Sequence, residues 1–292
     1  MPRPVFILAA SFFLIAVSVS ADEAALTGRQ LAELEKNRPI YNHDDATALQ
    51  MRLVDREGRV RIREFVRYQM KFPEGKKTLT KFLYPDDIRD TGTLNMEVKG
   101  EDDIQYLYLP AAQKLRRISG KSQSWVGSDF AYQDIMETDL DDYTFENLGV
   151  ETVDGYECYK YAQTPVSPDK SIYGREVHWI RKDVHVPVKK ELYDKQGKLW
   201  KIIHAKVWRD VPVGAPYAWV VICQNMQDGH KTVNIRRWVE LDVGLDPSDL
   251  STGNLQKSAS FYGRPAQKID DTVKTVGQDP PLMAEGLYND DV

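Results

Sequence analysis

The chain has 292 residues, 42% of them hydrophobic and 10% aromatic, with a formal net charge of −5. That apolar content is ample for a packed core and excludes an intrinsically disordered chain. The mildly acidic balance argues against a nucleic-acid partner, and a total of two cysteines excludes a disulfide scaffold.

The first residues, MPRPVFILAASFFLIAVSVSA, carry one positive charge at Arg3 and then an apolar run from Pro4 to Val17. The run is short for a membrane span, which needs ~20 apolar residues. Small residues close it, with Val19 and Ala21 at the −3 and −1 positions of a signal-peptidase site and acidic Asp22 and Glu23 following. The expectation is a signal peptide over 1–21, cleaved after Ala21, and a periplasmic mature protein. No cysteine lies at that point, so an N-terminal lipid anchor is not expected.

Residues 26–36 place Leu26, Leu31 and Leu34 on one helical stripe, with Pro39 beyond as a stop. From Leu49 the period changes to two. In RVRIREFVRYQMKF, Val60, Ile62, Val66, Tyr68, Met70 and Phe72 fall on one face, and Arg59, Arg61, Arg63, Arg67 and Lys71 on the other; Glu64 and Phe65 break the pattern. Such alternation predicts a strand with one buried and one wet face. Its length suits a strongly curved sheet or barrel.

The device repeats through KKTLTKFLY, GTLNMEV, IQYLYLP, KLRRIS, YECYKYA, YGREVHWIRKD, HVPVKKELYD, LWKIIHAKVW, YAWVVICQNM and HKTVNIRRWVEL, with short Gly-containing turns between many of them. About eleven candidate strands in a hairpin meander make the class mainly β. The stretch 119–142 interrupts the alternation. Phe130, Ile135 and Met136 there fit a short helix with Ser128 or Asp129 as N-cap, and an excursion in mid-meander can cap an open end of the sheet. Beyond Leu255 no period is sustained, and 256–292 reads as a tail.

The five histidines (His43, His178, His185, His204 and His230) lack zinc-ligand spacing. GKS at 120–122 lacks the earlier glycine of a phosphate loop, and no nucleophile elbow occurs. The acidic cluster Glu137, Asp139, Asp141 and Asp142 lacks the spaced ligands of a calcium loop and reads as solvated. No catalytic residue, metal ligand or cofactor is therefore expected, and the chain reads as a non-enzyme. Cys158 and Cys223 sit in apolar strand-like runs. Either they pair in an oxidising compartment or each serves as a small hydrophobe. The aromatic load is high, with Tyr106 and Tyr108 on one face of their strand; these rings either fill a core or line a ligand cavity, which is expected because a barrel of this strand count encloses more space than its own side chains need fill.

The segments YLYLPAAQKLRRISG, GSDFAYQD and DGYECYKY, with the later YDKQGKLWK and NMQDGHKTVNI, resemble the outer-membrane lipoprotein-sorting protein family of the LolA-like superfamily. The resemblance spans roughly Ala48 to Leu255. It implies an incomplete, half-open β-barrel whose open side is covered by a few helices, and an apolar cavity for acyl chains or other lipids. The domain division is then 1–21 signal peptide, 22–255 lipid-binding domain and 256–292 tail. The resemblance also places Ser128, Asp129 and Phe130 in a lid segment with Trp125 beside it, and it implies a resistance–nodulation–division type exporter as partner. The expected function is a periplasmic carrier that makes transient membrane contact and passes lipid or lipoprotein acyl chains toward the outer membrane. The alternative is an interaction or sensor module on the same fold, with the basic face of the 59–72 strand as its footprint.

Overall fold

A computed structural model describes residues 26–39, 43–98, 103–118, 120–211 and 215–258. The expected signal peptide and all but the first residues of the expected tail lie outside the described residues. Among the described residues, thirteen strands form one antiparallel sheet: β1 (Asp44–Val54), β2 (Val60–Phe72), β3 (Gly75–Tyr84), β4 (Gly92–Met96), β5 (Ile104–Leu109), β6 (Lys114–Ile118), β7 (Tyr143–Val153), β8 (Tyr156–Pro165), β9 (Arg175–Arg181), β10 (Pro187–Tyr193), β11 (Leu199–Arg209), β12 (Tyr217–Asn225) and β13 (Lys231–Leu241). The α-helices are α1 (Gly28–Lys36), α2 (Tyr132–Ile135) and α3 (Thr252–Leu255).

Turn chemistry sets the meander. In DREG the Asp55 carboxylate accepts from the amides of Glu57 and Arg59 at 3.0 and 2.9 Å, and Gly58 takes a φ of +80°, which suits glycine. DKQG, between β10 and β11, repeats the device with Asp194 accepting from Gln196 and Lys198.

The strand order is β6-β5-β4-β3-β2-β1-β13-β12-β11-β10-β9-β8-β7. The sheet is open and curved, a half-barrel as expected, and its edges are β6 and β7. Those two strands are consecutive in sequence but stand at opposite edges. Their connection, 119–142, must therefore cross the open side. We refer to this connector as the lid.

Register defines the two faces, because directly paired residues point to the same side. One inner row runs Leu53, Thr232, Cys223, Ile203, Lys190, His178, Tyr161 across seven strands. A second runs Asp45, Gln69, Thr78, Asn95, Gln105, Ile118. The lid and α1 both pack on this inner face. On the outer face Ala46, Ala48, Val66, Tyr68, Met70, Leu79 and Leu94 are covered by the C-terminal stretch through Leu250 and Leu255.

This arrangement corrects the reading of β2. Its apolar residues face outward under the C-terminal stretch, and Val60 is 51% exposed. Its arginine face is not a wet exterior. Arg61, Arg63 and Arg67 point inward with Phe65, since they pair with Leu53, Met51, Thr47 and Leu49. Glu64, on the outer side, is buried and accepts from Gln50 at 2.7 Å.

Helix α1 begins with a capping box. Thr27 Oγ1 accepts from the Gln30 amide and Gln30 Oε1 accepts from the Thr27 amide. Leu31 and Ala32 enter the core with Tyr161 and Ile180. Gly28 lies so close to β7 that a Cβ there would meet the Glu146 backbone at 2.7 Å.

Cys158 and Cys223 do not pair. Both are buried free thiols, in β8 and β12, four strand spacings apart or about 19 Å along the sheet. A disulfide needs Cα atoms within about 7 Å. Each packs as a small hydrophobe in a different cluster.

Candidate functional site

The inner face is apolar where the lid rests. Leu49, Met51, Leu53, Phe65, Phe82 and Cys223 receive Trp125, Phe130 and Tyr132 from the lid. Trp125, 5% exposed, stands edge-on to Phe65 with ring centres 5.6 Å apart and planes at 73°. Such pairs add to simple area burial.

Between Gln123 and Tyr132 the lid folds back on itself. The Trp125 amide donates to the Phe130 carbonyl at 2.7 Å, and Ser128 Oγ donates to the Trp125 carbonyl at 2.7 Å. Val126 is forced to φ +49°, costly for a β-branched residue. Arg63 from β2 donates to its carbonyl. The Asp129 amide donates to Thr232 Oγ1 at 2.9 Å, and its carboxylate accepts from that hydroxyl at 2.6 Å. Burial pushes the Asp129 carboxyl up and the neighbouring Asp228 adds to this, against the Thr232 hydrogen bond. The helix N-cap is Ala131, not Ser128 or Asp129; Asp134 reaches back to accept from the Ala131 amide at 2.7 Å.

The firmest anchor of the lid is absent from the sequence reading. Asp134 Oδ2 also accepts from Lys201 Nζ on β11 at 3.0 Å, with the two side chains 2% and 4% exposed. Its Oδ1 accepts from the Tyr173 hydroxyl at 2.6 Å. Lys201 in turn lies 4.9 Å from the Trp200 ring centre. These partners are 39 and 67 residues from Asp134, so no local pattern announces them.

A cavity of about 850 Å³ opens beside the lid, at the ends of β1, β2, β11 and β12. Ser128, Asp129 and Phe130 line it with Leu53, Arg61, Trp200, Lys201 and His230. Its volume falls in the range of small-molecule sites. Three of the expected lid residues are thus brought to a cavity wall, and Trp125 packs behind them. Tyr106 and Tyr108 are not with them. They pair with Leu94 and Gly92 and join the outer cluster of Leu250 and Leu255. Among the described residues, Asp129, Asp228 and His230 bring metal-ligand atoms within 4.8 Å of one another. Asp228 is already engaged by the Asn225 side chain and the His230 amide.

At the other end of the inner face, Glu35 of α1 is buried. It accepts from Tyr161 at 2.7 Å, contacts His178 Nδ1 at 2.9 Å and pairs with Lys190 at 2.8 Å. Burial pushes its carboxyl up, but Lys190, His178 and Arg38 together hold it well below the usual range. This network ties α1 to β8, β9 and β10.

A family model described only as an uncharacterized protein matches residues 74–257. No curated protein sequence matches the chain. The structure is similar to a proposed outer membrane lipoprotein-sorting protein domain from Vibrio parahaemolyticus, with 28% identity and a TM-score of 0.74, covering 79% of this chain and 98% of that one. A protein of the DUF1329 family from Desulfovibrio piger gives 29% identity and a TM-score of 0.73 over 78% and 98% of the two chains. A LolA superfamily protein from Nitrosomonas europaea shares the fold, at 16% identity and a TM-score of 0.62 over 79% and 100%.

Proposed function

Because the chain belongs to the outer-membrane lipoprotein-sorting family of the LolA-like superfamily, we propose that it is an exported carrier that binds the acyl chains of a lipid or lipoprotein on the inner face of its sheet. The observation that carries this reading is the lid. The connector of the two edge strands rests Trp125, Phe130 and Tyr132 on apolar wall residues and is held by side-chain contacts at Asp129 and Asp134. It can lift without breaking a single strand pair. An acyl chain would then replace the lid's aromatic side chains against Leu49, Met51 and Phe65, at ~0.8 kcal/mol per buried methylene.

Release needs a partner that favours the open lid, since a carrier hands on cargo only through differential binding. In this reading the partner is a resistance–nodulation–division type exporter or an acceptor at the outer membrane, met by transient membrane contact. The alternative interaction module finds less support, because most of the arginines that would form its footprint face inward. The test is mass spectrometry of the full chain purified from its producing cell, with titration by a fluorescent fatty acid. Bound lipid and saturable one-site uptake are expected. Lipid-free protein that takes up no fatty acid would sink the proposal.

A further inference from the structure

The inner face is not apolar throughout. Beyond the lid, the rows of Asp45 and Thr47 carry a cluster of buried polar side chains, which we call the polar chamber. Among the described residues, six buried atoms on this stretch have no protein hydrogen-bond partner: Asp45 Oδ2, Arg67 Nε, Thr93 Oγ1, Asn95 Oδ1, Asn234 Oδ1 and Arg236 Nε. Buried polar atoms without partners are rare in folded proteins, and each asks for a cause. Here they gather on neighbouring rows of one face; of the six, Arg67 Nε and Arg236 Nε are donors that an anion can serve, whereas Asp45 Oδ2, Asn95 Oδ1 and Asn234 Oδ1 are acceptors that it cannot. Register places all six on the inner side, because Arg67 pairs with Thr47, Asn234 with Met51 and Arg236 with Leu49, and Thr93 and Asn95 share rows with Arg67 and Asp45.

The charges in the chamber do not balance. Asp45 has a side chain only 1% exposed, and Arg67 stands 3.8 Å away, too far for a hydrogen bond. Thr47 donates to Asp45 at 3.1 Å. Arg236 donates to the Ala218 carbonyl and lies 4.9 Å from the Tyr217 ring centre. Among the described residues, the charges that act most on the Tyr217 hydroxyl are the carboxylate of Asp45 and the guanidinium groups of Arg67, Arg236 and Arg38. Lys76, which also acts on Asp45, is paired with Glu97 at 3.1 Å. Farther along, Lys190 and Glu35 pair with each other, and Glu176 stands 3.6 Å from His178. The excess around Tyr217 is positive, and guanidinium forks match carboxylate and phosphate oxygens.

The chamber also abuts the apolar wall under the lid. Arg236 is paired with Leu49, and Met51 is the next inner residue of β1. Only about 13 Å of strand separates Thr47 from Met51. We propose that this chamber holds the anionic head of an amphiphile, whose oxygens accept from Arg67 and Arg236 while its chain runs toward Leu49 and Met51 beneath the lid. The inference rests on the carrier reading and narrows it to ligands with a carboxylate or phosphate head.

The test is calorimetric titration of the full chain with dodecanoate, dodecyl phosphate and dodecanol, which share one chain length. At least one anion should bind about tenfold tighter than the alcohol, given the strength of hydrogen bonds to charged groups; the tighter anion names the head. Arg67→Gln should erase the preference, and Arg67→Lys should keep part of it. Equal affinity for all three ligands in the unaltered chain would overturn the head site and leave the carrier reading standing. Failure of all three to bind would count against the carrier itself. The comparison in the unaltered chain decides the matter even if Arg67→Gln fails to fold.

Discussion

Replacing Asp134 with alanine should release the lid. The carboxylate collects three donors, the Ala131 amide at 2.7 Å, Lys201 Nζ at 3.0 Å and the Tyr173 hydroxyl at 2.6 Å. Asp134→Ala leaves the Lys201 ammonium buried with no counter-charge, a loss of about 3–5 kcal/mol in comparable cases. The Trp200 and Tyr173 rings, 4.9 and 5.7 Å from that ammonium, retain some of the attraction and pull the expectation toward the lower bound. About 3 kcal/mol is more than a hundredfold in the opening equilibrium. Hydrogen exchange of the amides between Gln123 and Ile135 reads that equilibrium directly, and urea unfolding reads the global loss. Asp134→Ala combined with Lys201→Met should regain much of the stability, because apolar replacement of a whole buried pair is close to neutral. Unchanged exchange in the lid, with a global loss under about 1 kcal/mol, would refute the anchor.

Burial lifts the Glu64 carboxyl from 4.5 to about 7, so between those values the folded chain keeps a proton that the unfolded chain has released. Stability should fall as pH rises through that window, by up to about 3 kcal/mol, and Glu64→Gln should flatten the melting temperature from pH 5 to 8. Burial pushes the Cys158 thiol up to about 11 and Cys223 well above its ordinary value; iodoacetamide should label neither in the native protein at pH 8 and both in denaturant. Gly28→Ala drives a Cβ into the Glu146 backbone and should cost about 1–3 kcal/mol, seen as earlier proteolysis near α1.

Much of the architecture is legible where one face of a strand is apolar and the other is not. β2 shows both the strength and the limit of that rule. Its alternation gives the strand and its length correctly, but the pattern cannot say which face points inward. The arginines turn inside, where the lid covers Arg63 and the polar chamber takes Arg67. Phe65, a break in the alternation, lies under Trp125 because a register shift in the β2–β3 ladder sets it opposite Phe82. β7 escapes the pattern because it is an edge strand exposed along most of its length. The start of β1 does so because buried Asp44 and Asp45 read as loop.

The segment around Ser128, Asp129 and Phe130 is legible from its lost periodicity as an excursion from the meander. Tyr106 and Tyr108 mislead, since a shared strand face does not say which side of the sheet it is. Asp134, Lys201 and Tyr173, like Glu35, His178 and Tyr161, come together only through the fold, and single sequences carry no trace of such long-range pairs.

The strand order has a kinetic side. Every neighbouring pair in the sheet joins strands adjacent in sequence, with one exception, β1 with β13. The hairpins on either side of that junction need only short loops to close, so they form at low entropic cost. The junction itself brings together residues such as Asp45 and Leu241, from near the two ends of the described chain. Until it forms, the two half-sheets have no common inner wall. The contacts that seat the lid, with Phe65 and Phe82 on one side of the junction and Cys223 and Lys201 on the other, cannot all exist before that single long-range zipping event. Folding should then be slow at one step and fast elsewhere, with the inner wall beneath the lid the last part of the molecule to exist.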